Sequence, residues 1–133
     1  MLDLTWLTIH ELGARYRCGE ATPSQVLQAY LARIETLDPK LRAYVTVTRE
    51  HALAQAEAAD KRMKAGASLG LLDGVPLAIK DVICTKGVRT TCASKILETF
   101  VPPYDATVMA RLSAAGAVLL GKTNMDEFAM GSS

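Results

Sequence analysis

Apolar residues in the first half of this chain recur every three or four positions, the period of a helix that buries one face. Thr8 stands as a cap ahead of a short helix from Ile9 to about Arg17, and Gly19 supplies a stop. Thr22-Pro23 opens a second helix with a cap residue and a proline at the first helical position. Val26, Leu27, Tyr30, Leu31, Ile34 and Leu37 form its apolar stripe. Asp38-Pro39 is its expected end, because the residue before a proline avoids helical geometry. A short β-rich stretch follows, from Ala43 to Thr48. Glu50 to Ala65 then predicts an alanine-rich third helix with Leu53, Ala56, Ala59 and Met63 down one face. Gly66 to Gly70 breaks it.

Beyond residue 66 the pattern changes. Gly74 to Ile79 is a short apolar run bounded by glycine and proline, the mark of a buried strand. Residues 83 to 104 read as a long irregular connection. Asp105 can cap a helix running to Ala115 with Val108, Met109 and Leu112 inward. Gly116 ends that helix, and Ala117 to Leu120 reads as a second buried strand. Strand, crossover with a helix, strand is a βαβ unit, which predicts an α/β fold with parallel neighbours. The expected organisation is one domain over 1–133, with a helical region at 1–66 and the start of an α/β core at 67–133. Two strands buried on both faces need more neighbours than these residues supply, so the domain is expected to be incomplete and its strand edges prone to association.

Composition narrows the function classes. Half of the 133 residues are hydrophobic and 22% are charged, as in an ordinary globular protein. Fifteen basic residues against 14 acidic ones leave a net charge of +1, so no broad electrostatic surface for nucleic acid is expected. No apolar run approaches the ~18–20 residues that cross a bilayer. Met1-Leu2-Asp3-Leu4 offers no basic region ahead of an apolar stretch, which argues against a signal peptide. Cys18, Cys84 and Cys92 form neither an even set nor a CxxC pair, and read as small core residues in a reducing compartment. His10 and His51 lack ligand-type partners at metal spacing, so no metal site is expected.

One motif is a false lead. Gly116-Ala-Val-Leu-Leu-Gly121-Lys122-Thr123 matches the P-loop pattern GxxxxGK[ST] letter for letter. That loop needs a strand before its first glycine and a helix beginning at its lysine, so that glycine-rich backbone N–H groups can wrap phosphates. Here a helix precedes Gly116 and the interior residues are an apolar strand, whose N–H groups pair with neighbouring strands. Gly116 reads instead as a helix stop, and Lys122 as a residue where a strand emerges.

Lys80 is the candidate catalytic residue. It follows Pro76-Leu77-Ala78-Ile79 directly, at the carboxyl end of a strand, where open α/β sheets place their sites. Desolvation there favours the neutral amine, which is a general base, and serine–lysine pairs are a variant of the catalytic triad. The competing reading is a lysine that snorkels to water and pairs with Asp81.

Leu72-Asp-Gly-Val-Pro-Leu-Ala-Ile-Lys-Asp81 and Thr85-Lys-Gly-Val-Arg-Thr-Thr-Cys-Ala-Ser-Lys95 resemble the region around the lysine of the amidase signature family. The resemblance continues through Tyr104-Asp-Ala-Thr107 and Gly121-Lys-Thr-Asn-Met-Asp-Glu-Phe-Ala-Met-Gly-Ser-Ser133. Thr90 to Lys95 and Asn124 to Met130 are most similar to the glutaminase (A) subunits of aspartyl/glutamyl-tRNA amidotransferases; the first half fits more loosely. The family fold is a mixed, largely parallel sheet covered by helices. Membership implies a Lys–Ser–Ser triad, with Lys80 as the lysine acting through a bridging serine on a nucleophilic serine. Both serines belong to a signature further along the family's chain, so these 133 residues alone are expected to be inactive. Ser132 and Ser133 are not read as the nucleophile. Met130, Gly131 and Ser132 match an earlier loop that helps wall the glutamine pocket. Val82 departs from the polar residue that many relatives carry after Lys-Asp.

The resemblance further implies glutamine as substrate, ammonia as the transferred product, and a cytoplasmic (bacterial type) or organellar location. It implies the B and C subunits of an amidotransferase as partners, Mg-ATP used by the partner rather than by this chain, and misacylated tRNA reached through the complex. Two other expectations stay open: a stand-alone amidase acting on another small amide, and a non-catalytic piece that docks on partner subunits.

Overall fold

The structure, a computed structural model, describes residues 3–131. After a single 3-10 turn at Leu4–Trp6 come α1 (Ile9–Cys18), α2 (Pro23–Leu41), β1 (Tyr44–Val47) and α3 (Arg49–Lys64). The second half holds β2 (Pro76–Lys80), α4 (Thr107–Ala114) and β3 (Val118–Thr123), with short 3-10 turns at Lys95–Leu97 and Glu127–Ala129.

The N-terminal helices start where the capping residues say they should. Thr8 and Thr22 each accept a hydrogen bond from the backbone N–H three residues on. Glu11 and Gln25 return the bond to the cap, so both helices carry a full capping box. The expected stop at Asp38-Pro39 is not observed: α2 runs on to Leu41 with Pro39 inside its last turn. Proline there removes only one ladder bond near the helix end. Asp38 then closes the exit, accepting from Arg42 N through its carbonyl and from Ala43 N and Tyr44 N through its carboxylate.

The β-rich stretch joins the sheet, giving three strands in the order β1-β3-β2 rather than the expected pair. The parallel β2–β3 pairing is as expected, while β1 runs antiparallel to β3. Leu27 and Leu31 of α2, Ala52 and Ala56 of α3, and Val118 and Leu120 of β3 form one buried cluster. Ile79, Leu119, Val88 and Met109 form another, on the opposite face of the sheet beneath α4. A third, Leu12, Tyr16, Ala21 and Val26, ties α1 to α2. β3 is therefore central and covered on both faces, and the expected free edge at 117–120 does not exist. β2 lies at the edge, with Ala78 and Lys80 exposed.

Three further expectations are corrected. Asp105 does not cap α4, whose N-cap is Ala106; its carboxylate accepts instead from Lys86 N at 2.7 Å and fastens the 80s loop. Met109 points inward, but Val108 is exposed. None of the three cysteines is a core residue: Cys18 is exposed, Cys84 and Cys92 are half-buried, and all are free thiols. Among the described residues no helix is long and apolar enough to cross a membrane.

Candidate active site

Residues leaving a strand alternate between its faces, and β2 ends on that rule. Ile79 is buried, Lys80 is exposed, and Asp81 is buried completely, at 0% exposure. The backbone ladder continues one residue past β2, as Asp81 N donates to Thr123 O at 3.2 Å. Lys80 and Asp81 thus part to opposite sides of the sheet, and the pairing of Lys80 with Asp81 is absent. Among the described residues Lys80 makes no side-chain hydrogen bond or ion pair. The apolar strand places Lys80 at a carboxyl end, as expected, but leaves it in solvent; the strand itself does not supply the expected desolvation.

Asp81 instead anchors the irregular connection. Its Oδ2 accepts from Thr91 Oγ1 at 2.5 Å, from Thr91 N at 3.1 Å and from Ala93 N at 3.4 Å. Its carbonyl accepts from Cys92 N at 3.0 Å. The left-handed backbone of Cys92 and Ala93, at φ 52° and 53°, is held in place by these bonds. Its other oxygen, Oδ1, accepts no hydrogen bond from the described residues and lies 3.8 Å from Lys122 Nζ.

Lys122 is the largest fully buried side chain, inside β3 rather than at an emerging strand end. Its Nζ donates to Ile83 O at 2.7 Å and to Thr90 Oγ1 at 2.8 Å. A β-bulge turns it there. Leu77 faces Leu119, but Ala78 faces Gly121, so Leu120 is an extra residue on β3 and Lys122 falls opposite Ile79. Burial pushes the Lys122 ammonium below its ordinary lysine value, and the Asp81 carboxylate opposes that push. Burial also pushes the Cys92 thiol up, with Asp81 adding to the effect. The P-loop reading ends here. Gly116 is a left-handed position after α4, at φ 82°, Gly121 is strand backbone, and the lysine faces the protein interior.

The Glu127–Ala129 turn docks on the same loop. Phe128 N donates to Cys92 O at 3.0 Å, and Ser94 Oγ donates to Glu127 Oε1 at 2.6 Å. The three stretches that carry the resemblance, around Lys80, Thr90 to Lys95 and Asn124 to Met130, are thereby joined into one hydrogen-bonded unit. Met130 and Gly131 are exposed beyond that turn, without a hydrogen bond to Lys80, and Ser132 lies outside the described residues. Asp81 and Lys122 do not stand out in the sequence as site residues. For Lys122 the available signal is a lysine separated by one residue from the apolar run Ala117 to Leu120; Asp81 carries no such signal.

The profile of the Amidase family matches residues 25–133. The chain belongs to that family. The A subunit of glutamyl-tRNA(Gln) amidotransferase from Geobacter metallireducens is 58% identical over 132 residues, covering 99% of this chain and 27% of that protein. The protein of the same name from Streptomyces coelicolor is 57% identical over 133 residues, again 27% of its length. Among solved structures, the native peptide amidase of Stenotrophomonas maltophilia superposes with a TM-score of 0.87 at 39% identity, covering 92% of this chain and 26% of the enzyme. This member of the amidase family spans about a quarter of the length of the relatives it matches.

Proposed function

We propose that this chain supplies the general-base lysine, Lys80, of the glutaminase (A) subunit of a tRNA-dependent amidotransferase. The observation that carries the reading is the parting of Lys80 from Asp81 at the end of β2. A carboxylate paired with Lys80 would hold the proton on its amine, and Asp81 is turned to the other face and occupied there. The likeness to amidotransferase A subunits over 99% of the chain favours glutamine over other amides.

In the complete protein, Lys80 takes a proton through a bridging serine from a nucleophilic serine. That serine attacks the side-chain amide of glutamine, giving an acyl-enzyme and ammonia. Further parts of the enzyme cover Lys80 and supply the desolvation that β2 lacks. Met130, Gly131 and Ser132 help wall the glutamine pocket. Ammonia passes to the B subunit, which uses Mg-ATP to activate the glutamyl or aspartyl group on misacylated tRNA, and the C subunit braces the complex. No nucleotide site is assigned to this chain.

The test is Lys80→Ala in the complete enzyme. Glutamine hydrolysis is expected to be lost while transamidation from free ammonium continues; glutaminase turnover near wild type would overturn the reading. The 133 residues alone are expected to be inactive, and an acyl-enzyme on Ser132 or Ser133 would show otherwise. The likeness to peptide amidase favours, as a second reading, a stand-alone amidase. Co-purification of the complete protein with two partner subunits decides between them.

A further inference from the structure

The pair formed by Asp81 and Lys122 has the position of a device that acts on Lys80 without touching it. Asp81 is the next residue in the chain, so its side chain fixes the turn out of β2, and that side chain is pinned by Thr91 and Ala93. Lys122 reaches the same point only because the bulge at Leu120 re-aims it, and bulges beside active sites serve to redirect side chains in this way. Neither residue belongs to the triad implied for the family. A fully buried lysine and carboxylate are costly to desolvate, and a buried ion pair is weak evidence of net stabilisation. The arrangement calls for an explanation other than stability.

We propose that Asp81 and Lys122 are positioning residues for Lys80: the carboxylate holds the end of β2 so that Lys80 projects to the open face, and the buried ammonium cancels the carboxylate's charge, so that Lys80 can give up its proton. The inference rests on the assignment of Lys80 as general base. In general a buried unit charge on the order of 10 Å from a titrating group, at an effective dielectric of about 20, moves its titration by about one pH unit. Removing either half of the pair leaves a charge of one sign behind the lysine, and the two removals act in opposite directions. The other titratable groups facing the pair are the Cys84 and Cys92 thiols, with Tyr104 hydrogen-bonded to Cys84. From β3, Lys80 is opposite Thr123, which does not titrate.

The experiment measures the pH dependence of glutaminase kcat/KM in the complete enzyme for Lys122→Met, Asp81→Asn and the double variant, with melting temperatures alongside. Lys122→Met leaves an uncompensated carboxylate, and the acid limb of the profile should move up by about half to one pH unit. Asp81→Asn leaves a buried ammonium that burial pushes toward its neutral form, so the limb should move down by a smaller amount, a few tenths of a pH unit up to about half. The double variant should return to within a few tenths of a unit of wild type. If Lys122→Met does not fold, the same sign test is carried by the downward shift of Asp81→Asn and its reversal on adding Lys122→Met. Limbs that stay in place, or move in one direction for both single variants, would overturn the proposal and leave the pair a purely structural brace. Lys80→Ala run in parallel separates this from the assignment beneath it: activity retained there removes the base, whereas activity lost there with unmoved limbs removes only the positioning pair.

Discussion

Residues 3–66 and residues 67–131 hold themselves together by different means. In the first region α1, α2 and α3 bury leucine, valine and alanine against one another and against β3, and polar side chains work at the helix ends. In the second, the long connection between β2 and α4 has little regular structure. It is held by a buried carboxylate, a buried ammonium and three threonines: Thr90 and Thr91 in contact with the pair, and Thr85 closing on Ile83 O. Apolar packing is tolerant of shape and needs only volume and pattern. A buried polar network is not, because each unpaired group left behind costs about 1–3 kcal/mol. The lysine proposed as the base, Lys80, sits in the second region, where geometry must be held closely.

The largest effect that tests this division is on activity. Lys80→Ala and Lys80→Arg in the complete enzyme are each expected to lower glutaminase turnover by ~10²–10⁴-fold, since a guanidinium cannot serve as a base. Thermal unfolding and ammonium-dependent transamidation should stay near wild type. A loss of fold instead would show that Lys80 belongs to the structural framework.

Stability comes next. Lys122→Met breaks a buried pair and is expected to cost about 3–5 kcal/mol in urea unfolding, most of it recovered by adding Asp81→Asn. Leu27→Ala, at the centre of the helical cluster, should cost about 2–5 kcal/mol. No second substitution among its neighbours should recover it by removing charge. If Lys122→Met is rescued no better than Leu27→Ala, the two regions do not differ in kind.

The sheet and helices were legible from the sequence because each follows a local period, 3.6 or 2. The place of Lys80 at the carboxyl end of an apolar strand was legible for the same reason, whereas its exposure there was not. Asp81 and Lys122 were not, because their meeting spans 41 positions and depends on one extra residue in β3. Strict alternation from Leu119 would have put Lys122 on the face of the α2–α3 cluster; the bulge reverses it. Asp105 looked like a helix cap and Pro39 like a helix stop, since both rules are local. A distant backbone N–H claimed the first, and the carboxylate of Asp38 rescued the second.

The buried tyrosines of the first region and Lys122 of the second should titrate with opposite sign above about pH 9, while Cys92 and Tyr104 of the second region, both raised, share the sign of the tyrosines. Tyr16 donates from its buried hydroxyl to Gly74 O at 3.1 Å, and burial raises its pKa. The folded chain therefore holds that proton after the unfolded chain has lost it near pH 10, and stability falls as pH rises through that range. Tyr30 and Tyr44, also raised by burial, share the sign. Lys122 is lowered, so the unfolded chain holds more protons between its lowered value and about 10.4, and stability rises there. Each pH unit separating folded from unfolded values is worth about 1.4 kcal/mol. Urea unfolding from pH 8 to 11 should fall less steeply for Tyr16→Phe than for wild type, and more steeply for Lys122→Met. The smallest effect is at a cap: Thr22→Ala should cost about 1 kcal/mol, with activity unchanged.

The central place of β3 has a consequence for how the chain is made. β1 and β2 touch no other strand than β3 among the described residues, so neither can enter this sheet until β3 has been synthesised. At ~5–20 residues per second, β1 waits on the order of 4–15 s, since β3 is translated roughly 75 residues later. During that interval α1, α2 and α3 can gather on the emerging chain, while the face they will present to β3 stays open to chaperones. Slow codons between β2 and β3 would prolong that exposure, and codons of the same speed placed within α1 would not.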